Sequence, residues 1–196
     1  MPLAAAEGER LPVTIWGDQH EAIAVGEAAD AWLTRTLGVA CRLVALPPDA
    51  TRRADAAWAP EAPRVGFADG FPYLVAGQGS LDELNRRLAQ PLPMARFRPN
   101  LVVEGAPPFA EDAWGVFEVE SVRFRVVKPC ARCAITTVDP ASATHGQEPL
   151  RTLATFRRGA GGVLFAQNAV AEKTGTVRVG DDVRPFPRAG SSADDT

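Results

Sequence analysis

The sequence predicts an α+β, β-rich fold. Two observations carry that expectation. From Arg64 onward, short β-branched or alternating apolar runs recur, with one clear helix among them. Turns at Asp69-Gly70-Phe71-Pro72 and Asp139-Pro140 break these runs.

In chain order, residues 1–10 read as a flexible tail. Leu11 to Trp16 is a short β-rich run closed by Gly17-Asp18. Glu27 to Leu37 has helical spacing, with Ala28, Ala31, Trp32 and Thr36 available for one face and Gly38 as a stop. Cys41 to Leu46 is a strand candidate, and Pro47 to Pro63 an irregular surface loop. Tyr73 to Ala76 is a strand. Ser80-Leu81-Asp82-Glu83 is a capping box that opens a helix running to about Leu88. Leu101-Val103, Val116-Val119 and Val122-Val126 are strands, the last alternating apolar with basic so that one face is buried. A short helix is expected over Pro149 to Arg157, and final strands over Val163 to Phe165 and Thr176 to Val179. Residues 184–196 have the polar composition of a disordered tail.

Hydrophobic residues make up 46% and charged residues 23%, the balance of a soluble globular chain able to bury its own core. A net charge of -3 gives no long-range attraction to nucleic acid or anionic membrane, and neither is expected as a partner. No stretch approaches the length of a membrane span. Lys128 and Lys173 are the only lysines among 21 basic residues; the rest are arginine, which suits planar recognition of carboxylate and phosphate. Three cysteines, Cys41, Cys130 and Cys133, are too few for a disulfide framework, so a reducing cytoplasm is the expected location.

The chemistry concentrates in Lys128-Pro129-Cys130-Ala131-Arg132-Cys133-Ala134-Ile135-Thr136-Thr137-Val138-Asp139-Pro140. A redox dithiol would need a following helix to lower a thiol pKa, yet the β-branched run and the Asp139-Pro140 turn argue against one. A structural zinc site would need four ligands in paired clusters, and only Cys41, His20 and His145 remain, all isolated. A single thiolate suffices if an organic cofactor supplies the other ligands of a thiophilic metal, and Arg132 alongside would favour the thiolate. Against all three stands the plain reading of Cys133 as a small buried hydrophobe.

Three weaker clusters accompany it. Arg96-Phe97-Arg98-Pro99-Asn100 places cationic and amide groups before an apolar strand, where they could meet an anion or remain a solvated strand end. Phe165-Ala166-Gln167-Asn168 offers adjacent amides suited to a pterin-like heterocycle, or a turn. Asp69-Gly70-Phe71-Pro72 is a turn whose glycine permits close backbone approach to a ligand.

Taken in order, these segments resemble the MOSC domain family, named for the C-terminal domain of molybdenum cofactor sulfurases, and within it the amidoxime-reducing branch. The matching stretches are Phe67-Ala68-Asp69-Gly70-Phe71-Pro72-Tyr73-Leu74, Ser80-Leu81-Asp82-Glu83-Leu84-Asn85, Phe97-Arg98-Pro99-Asn100, Ala110-Glu111-Asp112-Ala113-Trp114, Cys130-Ala131-Arg132-Cys133 with Thr136 to Pro140, Glu148-Pro149-Leu150 and Val179-Gly180-Asp181. The resemblance implies a mixed β-barrel with flanking helices over residues 64–183. It implies molybdenum cofactor (molybdopterin) held by Cys133 as metal ligand and catalytic residue. It carries cofactor contacts onto Asp69, Gly70, Phe71, Arg98, Asn100, Gln167 and Asn168.

The activity so implied is reduction of N-hydroxylated compounds such as amidoximes, hydroxylamines and N-hydroxylated bases. Electrons would come from a separate donor, a small haem or iron–sulfur protein with its flavin reductase. The alternative within the family is a module that binds the cofactor or passes sulfur to it without reducing anything; pyridoxal phosphate there belongs to a different domain. On this resemblance residues 11–63 are a remnant of the family's N-terminal β-barrel region, packed on the core, and most of that region is missing. Arg10, Arg35, Arg52 and Arg53 are the candidates to replace the basic residues that it contributes to the cofactor phosphate.

Overall fold

The computed structural model describes residues 8–61 and 63–188. Most of the expected N-terminal tail (1–7) and the end of the C-terminal one (189–196) lie outside the described residues. The chain divides into two units: Met1–Ala56 with Glu61–Gly70, and Ala57–Pro60 with Phe71–Thr196.

The first unit is a hairpin with one helix. Strands β1 (Arg10–Ile15) and β2 (Asp18–Ala24) pair antiparallel, with Ile15 opposite Asp18. The two residues between them, Trp16 and Gly17, both have positive φ (54° and 97°). That loop matches the right-handed twist of the flanking strands and fixes their register. Helix α1 spans Glu27–Leu37, as its spacing predicts, and Gly38 ends it in the left-handed conformation with its N–H on Thr34 O. Of the strand expected over Cys41 to Leu46, only β3 (Val44–Ala45) pairs, against the end of β2. The 47–63 stretch is irregular but not wholly superficial, since Pro47 and Ala54 are buried.

The second unit is α+β and β-rich, with a curled half-barrel sheet. Its strands are β4 (Tyr73–Gly77), β5 (Leu101–Val103), β6 (Trp114–Val119), β7 (Val122–Ala131), β8 (Arg158–Gly159), β9 (Gly162–Ala171) and β10 (Val183–Pro187). They run in the order β10-β6-β7-β9-β4-β5, with β8 on β9. β4 and β5 are parallel, joined through helix α2 (Gln78–Arg87); the other pairs are antiparallel.

The alternation read in β7 holds. Val122, Phe124 and Val126 are buried, while Arg123 and Arg125 pair with Glu118 and Glu172. Phe124 stacks on its cross-strand partner Phe117 and meets Tyr73 edge-on, on the layer that includes Val75 and Ala169. The other layer holds Leu74, Ala76, Leu81, Leu84, Phe97, Leu153 and Phe165, with Phe97 and Phe165 stacked at 4.0 Å.

Three expectations are corrected. The disordered tail begins later than 184: residues 184–187 belong to β10, which pairs β6 from Val183↔Val119 onward. The strand expected at Thr176 to Val179 is absent; Val179 is exposed and has no layer to enter. Helix α3 is a single turn, Leu150–Leu153, rather than a helix to Arg157.

The capping box does not form either. The N-cap of α2 is Gly77, three residues before Ser80, and Glu83 turns outward to Arg86 and Arg87. The helix start is held from elsewhere. The buried Glu111 carboxylate accepts the Gly77 N–H (3.2 Å) and the Ser80 hydroxyl (2.8 Å), and the same hydroxyl accepts the Phe109 N–H (2.7 Å). A carboxylate there also meets the positive end of the helix dipole. Removing it strands two buried donors. Glu111→Ala is therefore expected to cost about 2–3 kcal/mol in urea unfolding, and Glu83→Ala less than about 0.5 kcal/mol. The reverse order would restore the local cap.

Candidate functional site

Cys133 follows the end of β7, where the chain leaves the sheet. It precedes a one-turn 3₁₀ segment, Ala134–Thr137, whose Thr136 N–H and hydroxyl both donate to Cys133 O. Its side chain is exposed, so the buried-hydrophobe reading fails. One turn of 3₁₀ helix is too short to act on a thiol as a long helix would. Cys130 and Cys133 are both free thiols.

Two arginines tie this segment to the one before β5. Arg132 Nη1 donates to Cys130 Sγ at 3.0 Å and Nη2 to Phe97 O at 2.8 Å. The expected partner of Arg132 was Cys133; its contact is with the other cysteine. Arg96, only 7% exposed, pairs with Asp139 at 3.0 Å and reaches Thr136 O at 3.5 Å. Between these anchors Arg98 is exposed and held in the left-handed conformation (φ 54°). Among the described residues Arg98 makes no ion pair and its guanidinium no hydrogen bond. A free cation on a strained backbone is available to an anion.

The remaining residues align across the sheet. Lys128, Asn168 and Leu74 form one cross-strand row, and Asn100 extends it. The Asn100 N–H donates to Leu74 O (2.9 Å), and Asn100 Oδ1 accepts the Leu74 N–H (2.8 Å). Asn100 thus completes the ladder where β5 has not yet begun. Asn168 Nδ2 donates to Lys128 O at 3.2 Å.

Gln167 and Asn168 are not a turn. They sit inside β9, beside a bulge where pairing shifts between Pro129↔Gln167 and Ala131↔Leu164, with Ala166 left-handed (φ 70°). Gln167 is 1% exposed, and its Nε2 donates to Asp112 Oδ1 at 2.6 Å. Asp112 is also paired with Arg157 at 2.7 Å. Gln167 Oε1 is buried with no partner among the described residues, a state that invites a donor from outside the chain. Phe71 opens the second unit and is half-buried.

Asp69 and Gly70 belong to the first unit. Asp69 Oδ1 accepts the Trp16 indole N–H at 3.2 Å. Gly70 has no left-handed φ, and a Cβ there would meet nothing within 4 Å, so the chain itself does not require glycine at 70. Of the arginines offered for a phosphate, Arg10 is paired with Glu21 and Asp49, and Arg52 is bonded to backbone carbonyls. Arg35 is exposed and without an ion pair among the described residues.

The sequence gives no sign of the Arg132, Arg96, Asp112 and Arg52 contacts, because their partners lie 14 to 55 residues away in the chain. The donor set fits a metal that brings most of its own ligands. Cys133 presents one open thiol, Arg98 is a free cation, Gln167 holds an orphan acceptor, and no group of three metal-binding side chains converges among the described residues.

Fold and site define a β-rich domain with a single exposed thiol just past the end of a sheet strand. The family described as "MOSC domain" matches residues 62–184. Mitochondrial amidoxime-reducing component 1 of Mus musculus is 36% identical over 172 residues, covering 81% of this chain and 50% of that protein. The Danio rerio component 1 is 33% identical over 168 residues (81% and 52%), and the Bos taurus component 2 is 32% identical over 171 residues (81% and 51%). The chain belongs to the MOSC domain family. It spans about half the length of these curated relatives. No helix among the described residues is long and apolar enough to cross a membrane.

Asp139 allows a test of the scaffold. Its carboxyl is held below the usual carboxylate range, first by the Ala141 N–H, then by the Ser142 N–H, with Arg96 adding to both. A depressed folded pKa stabilises the protein above the unfolded value and is lost as pH falls through the folded one. Below about pH 4 the melting temperature of wild type should therefore fall more steeply with acid than that of Asp139→Asn, which already lacks the contribution. Parallel curves would contradict this.

Proposed function

We propose that this chain binds the molybdenum cofactor through Cys133 and reduces N-hydroxylated compounds, amidoximes and hydroxylamines among them. The observation that carries the reading is the exposed Cys133 thiol beside the Phe97–Arg98 segment clamped by Arg132, in a MOSC domain whose curated relatives bear the amidoxime-reducing name. When bound, the cofactor supplies a two-electron reduction in which the nitrogen-bound oxygen leaves as water. Electrons come from a separate donor protein, a small haem or iron–sulfur protein served by a flavin reductase.

The chain's own residues bind and orient. Cys133 supplies one thiolate ligand from the rim of the sheet. Arg98 meets anionic charge on the cofactor, its backbone held by Arg132 on Phe97 O. Gln167 offers Oε1 as an acceptor, with Nε2 committed to Asp112. Asn100 and Asn168 hold the adjoining backbone of β4 and β7 in place. Phe71, at the start of the second unit, contributes backbone.

The test is expression in a host that makes the cofactor, followed by metal analysis and amidoxime turnover with a low-potential chemical donor. Cys133→Ser should lose molybdenum and turnover, and Cys130→Ser should retain both. Equal loss in the two variants would assign the pair to a dithiol or zinc role. Molybdenum retained without turnover on any N-hydroxylated substrate would leave a cofactor-handling module in place of a reductase. Arg98→Ala should weaken cofactor retention by about 2 kcal/mol, the size of a charge-assisted contact, read as pterin content after dilution.

A further inference from the structure

At one end of the half-barrel sheet of the second unit, β4, β5 and β7 begin and β9 ends, and a cavity of about 320 Å³ opens there. Its walls are apolar, with Tyr73, Leu101, Val122, Phe124, Ala171 and Val177 among them. The register groups these residues: Ala171 lies opposite Phe124, and the Tyr73 ring meets Phe124 edge-on at 5.3 Å. Tyr73, Leu101 and Ala171 are only partly buried, so the inner layer of the sheet is open at this end.

Residues 172–177 run along the cavity. The Glu172 N–H donates to Arg123 O at 2.8 Å, and Gly175 lies so close to β7 that an added Cβ would come within 2.4 Å of Val122 Cγ2. The segment is thus held against the strand and forms one side of the cavity.

The charged groups at the rim are not equivalent. The Glu172 carboxylate is taken up by Arg123 (3.0 Å) and Arg125 (3.2 Å). Lys173 is exposed and makes no ion pair among the described residues. An apolar body is met by the aromatic and aliphatic walls, an anionic head by one uncommitted ammonium, and a cationic head by like charge. Concave, mostly apolar linings with a few placed polar groups are the usual make-up of small-molecule sites, and barrel mouths are among their usual positions.

We infer that this end of the sheet is a ligand site of its own, for a small amphiphile with an aliphatic or aryl body and one carboxylate, the carboxylate held by Lys173. It does not rest on the cofactor reading. Nine residue steps of β7 separate Val122 from Ala131, about 30 Å of extended strand. Tyr73 belongs to the Phe124 layer, whereas Leu74, in the row with Asn168, belongs to the other.

The experiment uses labels native to the chain. Tyr73 is its only tyrosine, and Lys128 and Lys173 are its only lysines. The full chain is grown with isotope-labelled tyrosine and lysine, and octanoate or octanol is titrated while the labelled signals are followed by magnetic resonance; the Lys173 signal is assigned by its loss in the variants. Octanoate should move the Tyr73 and Lys173 signals saturably and leave Lys128 in place. Lys173→Met should weaken octanoate binding about fivefold, and octanol should bind wild type about fivefold less tightly than octanoate does. Lys173→Arg, which keeps the charge, should bind octanoate as wild type does. A Tyr73 signal that does not move would overturn the inference. Both lysine signals moving together would reduce the contact to charge alone and overturn it too. Octanol binding as tightly as octanoate, or octanoate binding Lys173→Met as tightly as wild type, would overturn the carboxylate class.

Discussion

The Arg132 guanidinium spans Cys130 Sγ and Phe97 O, and the candidate site in the second unit depends on that span. It ties the chain leaving β7 to the chain entering β5. With it, Cys133 and Arg98 are anchored by the residues next to them, and neither functional side chain spends its own donors on the scaffold. Arg96 adds a second tie one turn away, to Thr136 O and Asp139. The division of labour is chemical. Arg132 and Arg96 hold backbone carbonyls, while Arg98 between them is exposed and makes no ion pair among the described residues.

The same economy runs through the rest of the molecule. Asp112 receives Gln167 Nε2 and Arg157, so the Gln167 amide is oriented by an acceptor and its carbonyl oxygen is left over. Ala166, left-handed, lies where the register shifts between Pro129↔Gln167 and Ala131↔Leu164. A bulge next to a site re-aims side chains at a local cost in backbone strain. Glu111 does for α2 what a local cap would have done, from 31 residues beyond Ser80. At Gln167 and at the start of α2, a side chain distant in sequence sets the local geometry.

That pattern explains what could be read from the sequence. Helix α1 is legible from Glu27 to Leu37 because its signals, periodicity and a terminal Gly38, are local. The alternation of Val122, Phe124 and Val126 with Arg123 and Arg125 fixes the inward face of β7 by the two-residue period of a strand. The ordered set of motifs is enough to indicate the family, which the match over residues 62–184 shows. The Ser80–Glu83 box misleads because a better acceptor, Glu111, is folded against the same helix start. The competing turn reading of Gln167-Asn168 fails because both residues lie within β9. The strand Val183–Pro187 is hidden by its two prolines, which an edge strand tolerates and a central one does not. Arg132 is beside Cys133 in sequence, but from just past the end of β7 its guanidinium reaches back to Cys130.

The central claim is that this chain carries a molybdenum site built on the Cys133 thiol. The most direct measurement is X-ray absorption at the molybdenum edge, on wild-type protein expressed in a host that makes the cofactor. The account predicts stoichiometric molybdenum whose sulfur shell includes a protein thiolate in addition to the sulfurs of the cofactor. A folded protein with no molybdenum, or with molybdenum lacking a protein sulfur ligand, would contradict it.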